Sequence, residues 1–90
     1  METPSTAVAE TIPDEKTITL RKPVELGGIT YAELKLREPL ASEWSQFDKV
    51  LGIEGDILAV AIVAGIPPIA VGKIGARDFK AAARYIASFL

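Results

Sequence analysis

The run ILAVAIVAGIPPIAV, residues 57–71, carries no charge and no side-chain hydrogen-bonding group in a chain of 90 residues. Such a surface must be hidden in a bilayer, in the protein's own core, or against another chain, be it a copy or a different protein. A spanning helix needs roughly 20 apolar residues, whereas this run is cut by Gly65 and by Pro67-Pro68, which remove amide donors and break the turn before them. No membrane association is therefore expected. Met1 to Glu15 is acidic and has no apolar core segment, so it offers no secretory signal and a cytoplasmic protein is expected.

Composition narrows the remaining choice. Hydrophobic residues make up 49% and charged residues 24%, the profile of a folded domain, and the length allows only one. A chain this short encloses only about 60–65% of its unfolded surface, so an all-apolar helix is hard to cover in a monomer and a homo-oligomer or a dedicated partner is expected. The chain contains neither cysteine nor histidine. Disulfides, thiolate metal sites and the commonest acid-base side chain are thereby absent, and no cofactor, metal site or catalytic activity is expected.

The net charge is −2, with acidic residues early (Glu2, Glu10, Asp14, Glu15) and basic ones late (Lys73, Arg77, Lys80, Arg84). Residues 1–15 lack any helical or strand period and read as a disordered leader ahead of a single domain over residues 16–90. From Thr17 the pattern alternates. Ile18, Leu20 and Val24 share one face, with Lys22 as its single polar exception, and Pro23 suits an edge strand. Gly27-Gly28 supplies a tight turn. Thr30, Ala32, Leu34 and Leu36 then alternate with Tyr31, Glu33, Lys35 and Arg37, completing a hairpin over residues 17–38 whose apolar face needs cover.

Helical segments follow over residues 43–89. Ser42 reads as the N-cap of a helix from Glu43 to Leu51 with Trp44, Phe47, Val50 and Leu51 on one face, stopped by Gly52. Asp56 would open an apolar helix from Ile57 to Ala64, ended by Gly65. Pro67-Pro68 restarts the chain to about Ile74. After Gly75, an amphipathic helix over residues 76–89 puts Phe79, Ala82, Ala83, Ile86, Phe89 and Leu90 on one stripe and Arg77, Lys80 and Arg84 on another. The fold class is α+β, an N-terminal β-hairpin followed by three or four short α-helices.

Few motifs carry chemistry. Lys73, Arg77, Lys80 and Arg84 at spacings of four, three and four suit an acidic partner or a phosphate backbone, or simply a solvated helix face. Gly72-Lys73-Ile74-Gly75 matches the G-x-x-G clamp of KH domains, yet two helix breakers explain those glycines equally well. Glu54 and Asp56 are the nearest carboxylate pair among the helices, with no base or nucleophile beside them. Tyr31 lies in the row of Glu33, Lys35 and Arg37, where an aromatic side chain can anchor a partner, and Trp44 is of the same hot-spot type.

The stretch ITLRKPVELGGITYAELKLREP, residues 18–39, resembles the opening of small tail assembly chaperones of contractile-tailed phages, the protein E family of P2-like and Mu-like phages. Its matching residues include Leu20, Lys22-Pro23-Val24, Gly28, Tyr31, Glu33-Leu34 and Leu36-Arg37-Glu38-Pro39. Gly65-Ile66-Pro67-Pro68, Val71, Ile74, Asp78-Phe79 and Phe89-Leu90 are similar to the same family's C-terminal pattern. The chain departs from it at Leu40-Ala41 and at Gly72. The resemblance implies a non-enzymatic role in virion morphogenesis in the host cytoplasm. There the protein would bind the helical, aggregation-prone tape measure protein and keep it soluble until tail-tube proteins polymerise around it. Candidate partner-contact residues are Tyr31, the apolar Ile57, Val60, Ile62 and Val63, and the basic Lys73, Arg77, Lys80 and Arg84. The alternative is a small nucleic-acid-binding regulator using the basic stripe, against which the acidic sequence pI of about 5.0 counts.

Overall fold

The computed structural model describes residues 12–90. Two antiparallel strands, β1 (Glu15–Leu26) and β2 (Ile29–Arg37), precede four helices: α1 (Ala41–Phe47), α2 (Gly52–Ala64), α3 (Pro68–Gly72) and α4 (Ala76–Ala87). The α+β hairpin-then-helices order stands as the residue pattern predicts. Of the expected leader, residues 1–11 lie outside the described residues; at its end, Ile12 packs on the core and Glu15 already belongs to β1.

Gly27 and Gly28 join the strands at φ 59° and 80°, the pair of left-handed conformations that a type I′ hairpin turn demands. Pairing is regular from Glu15↔Arg37 to Thr19↔Glu33, then resumes at Val24↔Tyr31. Residues 20–23 of β1 thus face only Ala32 of β2, a large bulge. The bulge explains Lys22. Strict alternation would bury it between Leu20 and Val24, whereas the extra residues let both apolar side chains turn inward and leave Lys22 exposed.

The bulge also frees the Arg21 N–H from the ladder, and that amide donates to the Asp78 carboxylate at 2.8 Å. Asp78 is only 7% exposed, the one buried charged side chain among the described residues. It lies in the first turn of α4, where the helix dipole favours an anion, and the Arg21 guanidinium stands 3.6 Å from its second oxygen. One carboxylate thereby completes the sheet and docks α4.

α2 is enclosed on several sides by α1, α3, α4 and β2. Gly55, Ala59, Val60, Ala61 and Val63 are buried, and Ile57, Leu58, Ile62 and Ala64 are packed partly against the core. From Ile57 onward α2 is apolar all round, as a central helix is, so this part of the uncharged run is hidden chiefly within the chain's own core, while Pro67, Pro68 and Ile69 beyond it are exposed. α4 covers it with Phe79, Ala82, Tyr85 and Ile86, and the hairpin contributes Leu20, Val24, Leu34 and Leu36. Among the described residues no helix is long and apolar enough to cross a membrane.

The middle of the chain differs from the sequence expectation. α1 starts at Ala41 with Leu40 as its N-cap, because the Glu43 carboxylate accepts the Leu40 N–H at 2.8 Å and so does the work assigned to Ser42. It ends at Phe47, and of the expected apolar face only Phe47 is buried; Trp44, Val50 and Leu51 are exposed. Gly52 opens α2 instead of stopping a helix, which puts Asp56 in the second turn of that helix, past the start assigned to it. Gly55 makes the early start possible: a Cβ there would overlap the Val50 carbonyl oxygen, so only glycine lets the connecting loop lie on the helix. Gly65 ends α2 as expected, with φ 72° and both its N–H and that of Ile66 turned to the Ala61 carbonyl. At the C-terminus Leu90 is exposed and leaves the predicted stripe.

Arg37 clamps α1 to the end of β2 through two parallel bonds to Glu43, of 2.8 and 2.7 Å. The Arg37 hydrogen bonds, then the Leu40 amide, lower the Glu43 pKa from 4.5 to about 2. A depressed folded-state value means that the clamp's contribution is complete above pH 4.5 and is lost as the pH falls through about 2. Because Arg37 is partly solvated, that contribution is on the order of 1 kcal/mol. Glu43→Gln should therefore flatten the fall of unfolding free energy between pH 4.5 and 2, measured in urea titrations at stepped pH; an unchanged slope would show the pair to be idle. Asp78→Ala strands the Arg21 N–H and should destabilise the fold by about 1–3 kcal/mol, with Asp78→Asn, which keeps an acceptor, losing less. Thermal melts check this order.

Candidate partner-binding surface

Five large apolar side chains exposed to solvent, Leu40, Trp44, Val50, Leu51 and Ile53, fall between residues 40 and 53, a stretch termed the apolar corner; Ile29, Ile69 and Leu90 are exposed apart from them. Leu40 and Trp44 are one helical turn apart at the start of α1, joined by the Trp44 N–H to Leu40 carbonyl bond of 2.9 Å. Val50, Leu51 and Ile53 form the turn into α2 and its first residues. Leu51 is 86% exposed and in extended conformation, held out by a loop that the Gly55 contact keeps tight. The Arg37 clamp fixes α1 from its other end. The corner is thus a braced set of hydrophobic side chains directed at solvent. It differs from a pocket, which would enclose a small ligand.

The residues singled out from sequence fall into three groups. Val60 is fully buried and Val63 nearly so, which places both in the core of the chain; Ile57 and Ile62 are partly buried and packed against that core. Tyr31 is half-buried. It is paired with Val24 across the bulge and packed on the core, so the polar-face position expected for it is only partly realised. Lys73, Arg77, Lys80 and Arg84 are all exposed, but Gly75 separates Lys73, in the turn after α3, from the three on α4. The four do not form one continuous helical row. Sequence reasoning missed the corner because it assigned Trp44, Val50 and Leu51 to a buried face of a longer α1. The signal that could have revealed it was Leu51-Gly52-Ile53, where an apolar pair flanks a residue suited to a loop.

Gly72 ends α3 and Gly75 caps α4, with no strand after them, so both serve as helix punctuation. Glu54 and Asp56 are exposed on α2. Among the described residues no group of three or more potential ligands could hold a metal ion. A crevice of about 230 Å³ opens between the bulge and α4, lined by Arg21, Lys22, Gly75, Ala76, Arg77 and Asp78. Its one buried carboxylate is already engaged by Arg21. Near the N-terminal end of β1, the Tyr85 hydroxyl donates to the Pro13 carbonyl at 2.6 Å, and its ring meets Phe89 edge-on at 5.2 Å. Burial, with the negative charge of Asp14, Glu15 and Glu38, pushes the Tyr85 hydroxyl above its ordinary value. That keeps it protonated, as a structural donor must be.

No curated protein and no solved structure shows significant similarity to the chain. A family model, by contrast, matches residues 17–90, from the first strand to the last residue and across both the bulged hairpin and the apolar corner. With most of its length matched in this way, the chain belongs to the family of phage tail assembly chaperone proteins described as E, or 41 or 14.

Proposed function

We propose that this tail assembly chaperone binds the tape measure protein in the cytoplasm of the bacterial host and keeps it soluble until the tail tube assembles around it. The observation that carries the reading is the braced apolar corner of Leu40, Trp44, Val50, Leu51 and Ile53. A helical client with unpaired apolar stripes aggregates through those stripes, and a small exposed hydrophobic surface can cover them while its polar surroundings stay wet. The basic Arg77, Lys80 and Arg84 on α4 add attraction for acidic client segments. The contact holds without chemistry, so no catalytic group is required. Release follows from competition: tail-tube proteins that enclose the client displace a chaperone bound through a modest area.

Val60 and Val63 support the fold from within on this reading, and Ile57 and Ile62 supply client contact only where α2 meets the surface. Coexpression with the tape measure protein should raise the soluble fraction of that client several-fold and yield a co-purifying complex. Leu51→Asp with Ile53→Asp should keep the circular dichroism spectrum and melting temperature while losing the client. Val60→Asp, which introduces a charge into the core, should lose the fold itself. No co-purification and no change in client solubility with the wild-type chaperone would refute the proposal.

A further inference from the structure

Among the described residues the sheet has two strands, and its two outer edges differ. The edge of β1 is blunted: its ladder is broken at residues 20–23, Pro23 has no amide donor, and the Arg21 N–H is taken by Asp78. β2 is different. It runs for 9 residues with no proline, and among the described residues no third strand joins it. Beyond the β1 ladder, no backbone hydrogen bond among the described residues reaches residues 31–36. We infer that β2 is a dimerisation edge, pairing antiparallel with β2 of a second copy of this chain about a two-fold axis at Leu34.

The choice of a second copy, and of this register, comes from charge. Glu33 and Lys35 lie side by side on the solvent face of β2, 3.8 Å apart, with roughly half and three quarters of their side chains exposed. In a two-fold antiparallel pairing that keeps the helices of both copies on one face, residues opposite one another must share parity, so the axis passes through a residue. Centred on Leu34, the pairing sets Glu33 opposite the partner's Lys35 and Lys35 opposite the partner's Glu33, the favourable cross-strand arrangement. Centred on Glu33 or on Lys35 instead, it would set like charges directly opposite. The Leu34 register also puts Ala32, exposed here, beside the partner's Leu36, which is already buried in its own chain. It brings Ile29, a large exposed side chain at the hairpin tip, next to the partner's Pro39. A strand that is self-complementary in charge and in apolar cover is what an isologous interface requires. The inference stands on the hairpin alone and does not rest on the chaperone reading.

The full chain tests it in sedimentation equilibrium. The wild type should dimerise, and Glu33→Lys or Lys35→Glu, each of which sets like charges opposite at two symmetric points, should weaken the dimer by about ten-fold or more. Both positions are exposed, so each variant should keep its melting temperature. Mixing the two single variants should restore association as a heterodimer, because positions 33 and 35 are then both basic in one copy and both acidic in the other. The double reversal Glu33→Lys with Lys35→Glu should restore the homodimer. A chain that stays monomeric would overturn the proposal. So would a dimer whose affinity ignores both reversals, or single variants that weaken it without rescue on mixing.

Discussion

The hydrogen bond from the Arg21 amide to Asp78 is the contact on which the arrangement of this domain turns. A two-stranded sheet cannot stand alone in water, and its apolar face must be held against helices that are far away in sequence. The bulge at residues 20–23 lets Leu20 and Val24 both face inward, but it leaves an amide donor without a strand partner. An amide buried in that condition costs as much as a lost hydrogen bond. Asp78 answers that cost with a charge placed where the α4 dipole favours it. The defect in one element and the buried charge in another are each unfavourable alone. Together they fix how the last helix crosses the hairpin, and the core between them follows.

The residues made legible what depends on periodicity and on strong breakers. The alternation of Ile18 and Leu20 and of Leu34 and Leu36, the Gly27-Gly28 turn, the Gly65 stop and the Pro68 start all appear where the pattern puts them, because each rests on local backbone preference. The region from Ser42 to Asp56 was illegible for a tertiary reason. Ser42 has the better intrinsic capping chemistry, but Glu43 is clamped by Arg37 from the strand and caps Leu40 from there. Gly52 reads locally as a stop, and only the close approach of the Val50 carbonyl to Gly55 shows that α2 begins there. The bulge was invisible for the same reason, although Lys22 on an otherwise apolar face marked its place.

The candidate surface follows from that displaced boundary. Val71, read from sequence as core, is buried, and so are Val60 and Val63, which the sequence offered as partner contacts. Once α1 ends at Phe47, however, Val50 and Leu51 lie on a loop and cannot follow Phe47 inward. Trp44, whose spacing to Phe47 fits one face, is left at the rim, and the domain keeps the uncharged part of α2 inside while presenting other hydrophobic side chains outside. The most apolar segment is therefore not the most exposed one, and the proposed contact belongs to residues that the fold leaves unburied.

A corner of five such side chains removes only a few hundred Å² from water when covered, which at about 25 cal/mol per Å² offsets little more than the entropy lost on association. On the proposed reading each contact with a client is then weak and short-lived, as a reversible holder needs. A long helical client, as proposed above, would offer many such contacts, and two corners joined through the proposed β2 pairing would engage it at a high effective concentration. Grip would come from linkage and release from the weakness of each contact. A sheet edge committed to self-association also ceases to be an open template for aggregation, so the same pairing that joins two holders removes the most hazardous surface that the hairpin exposes.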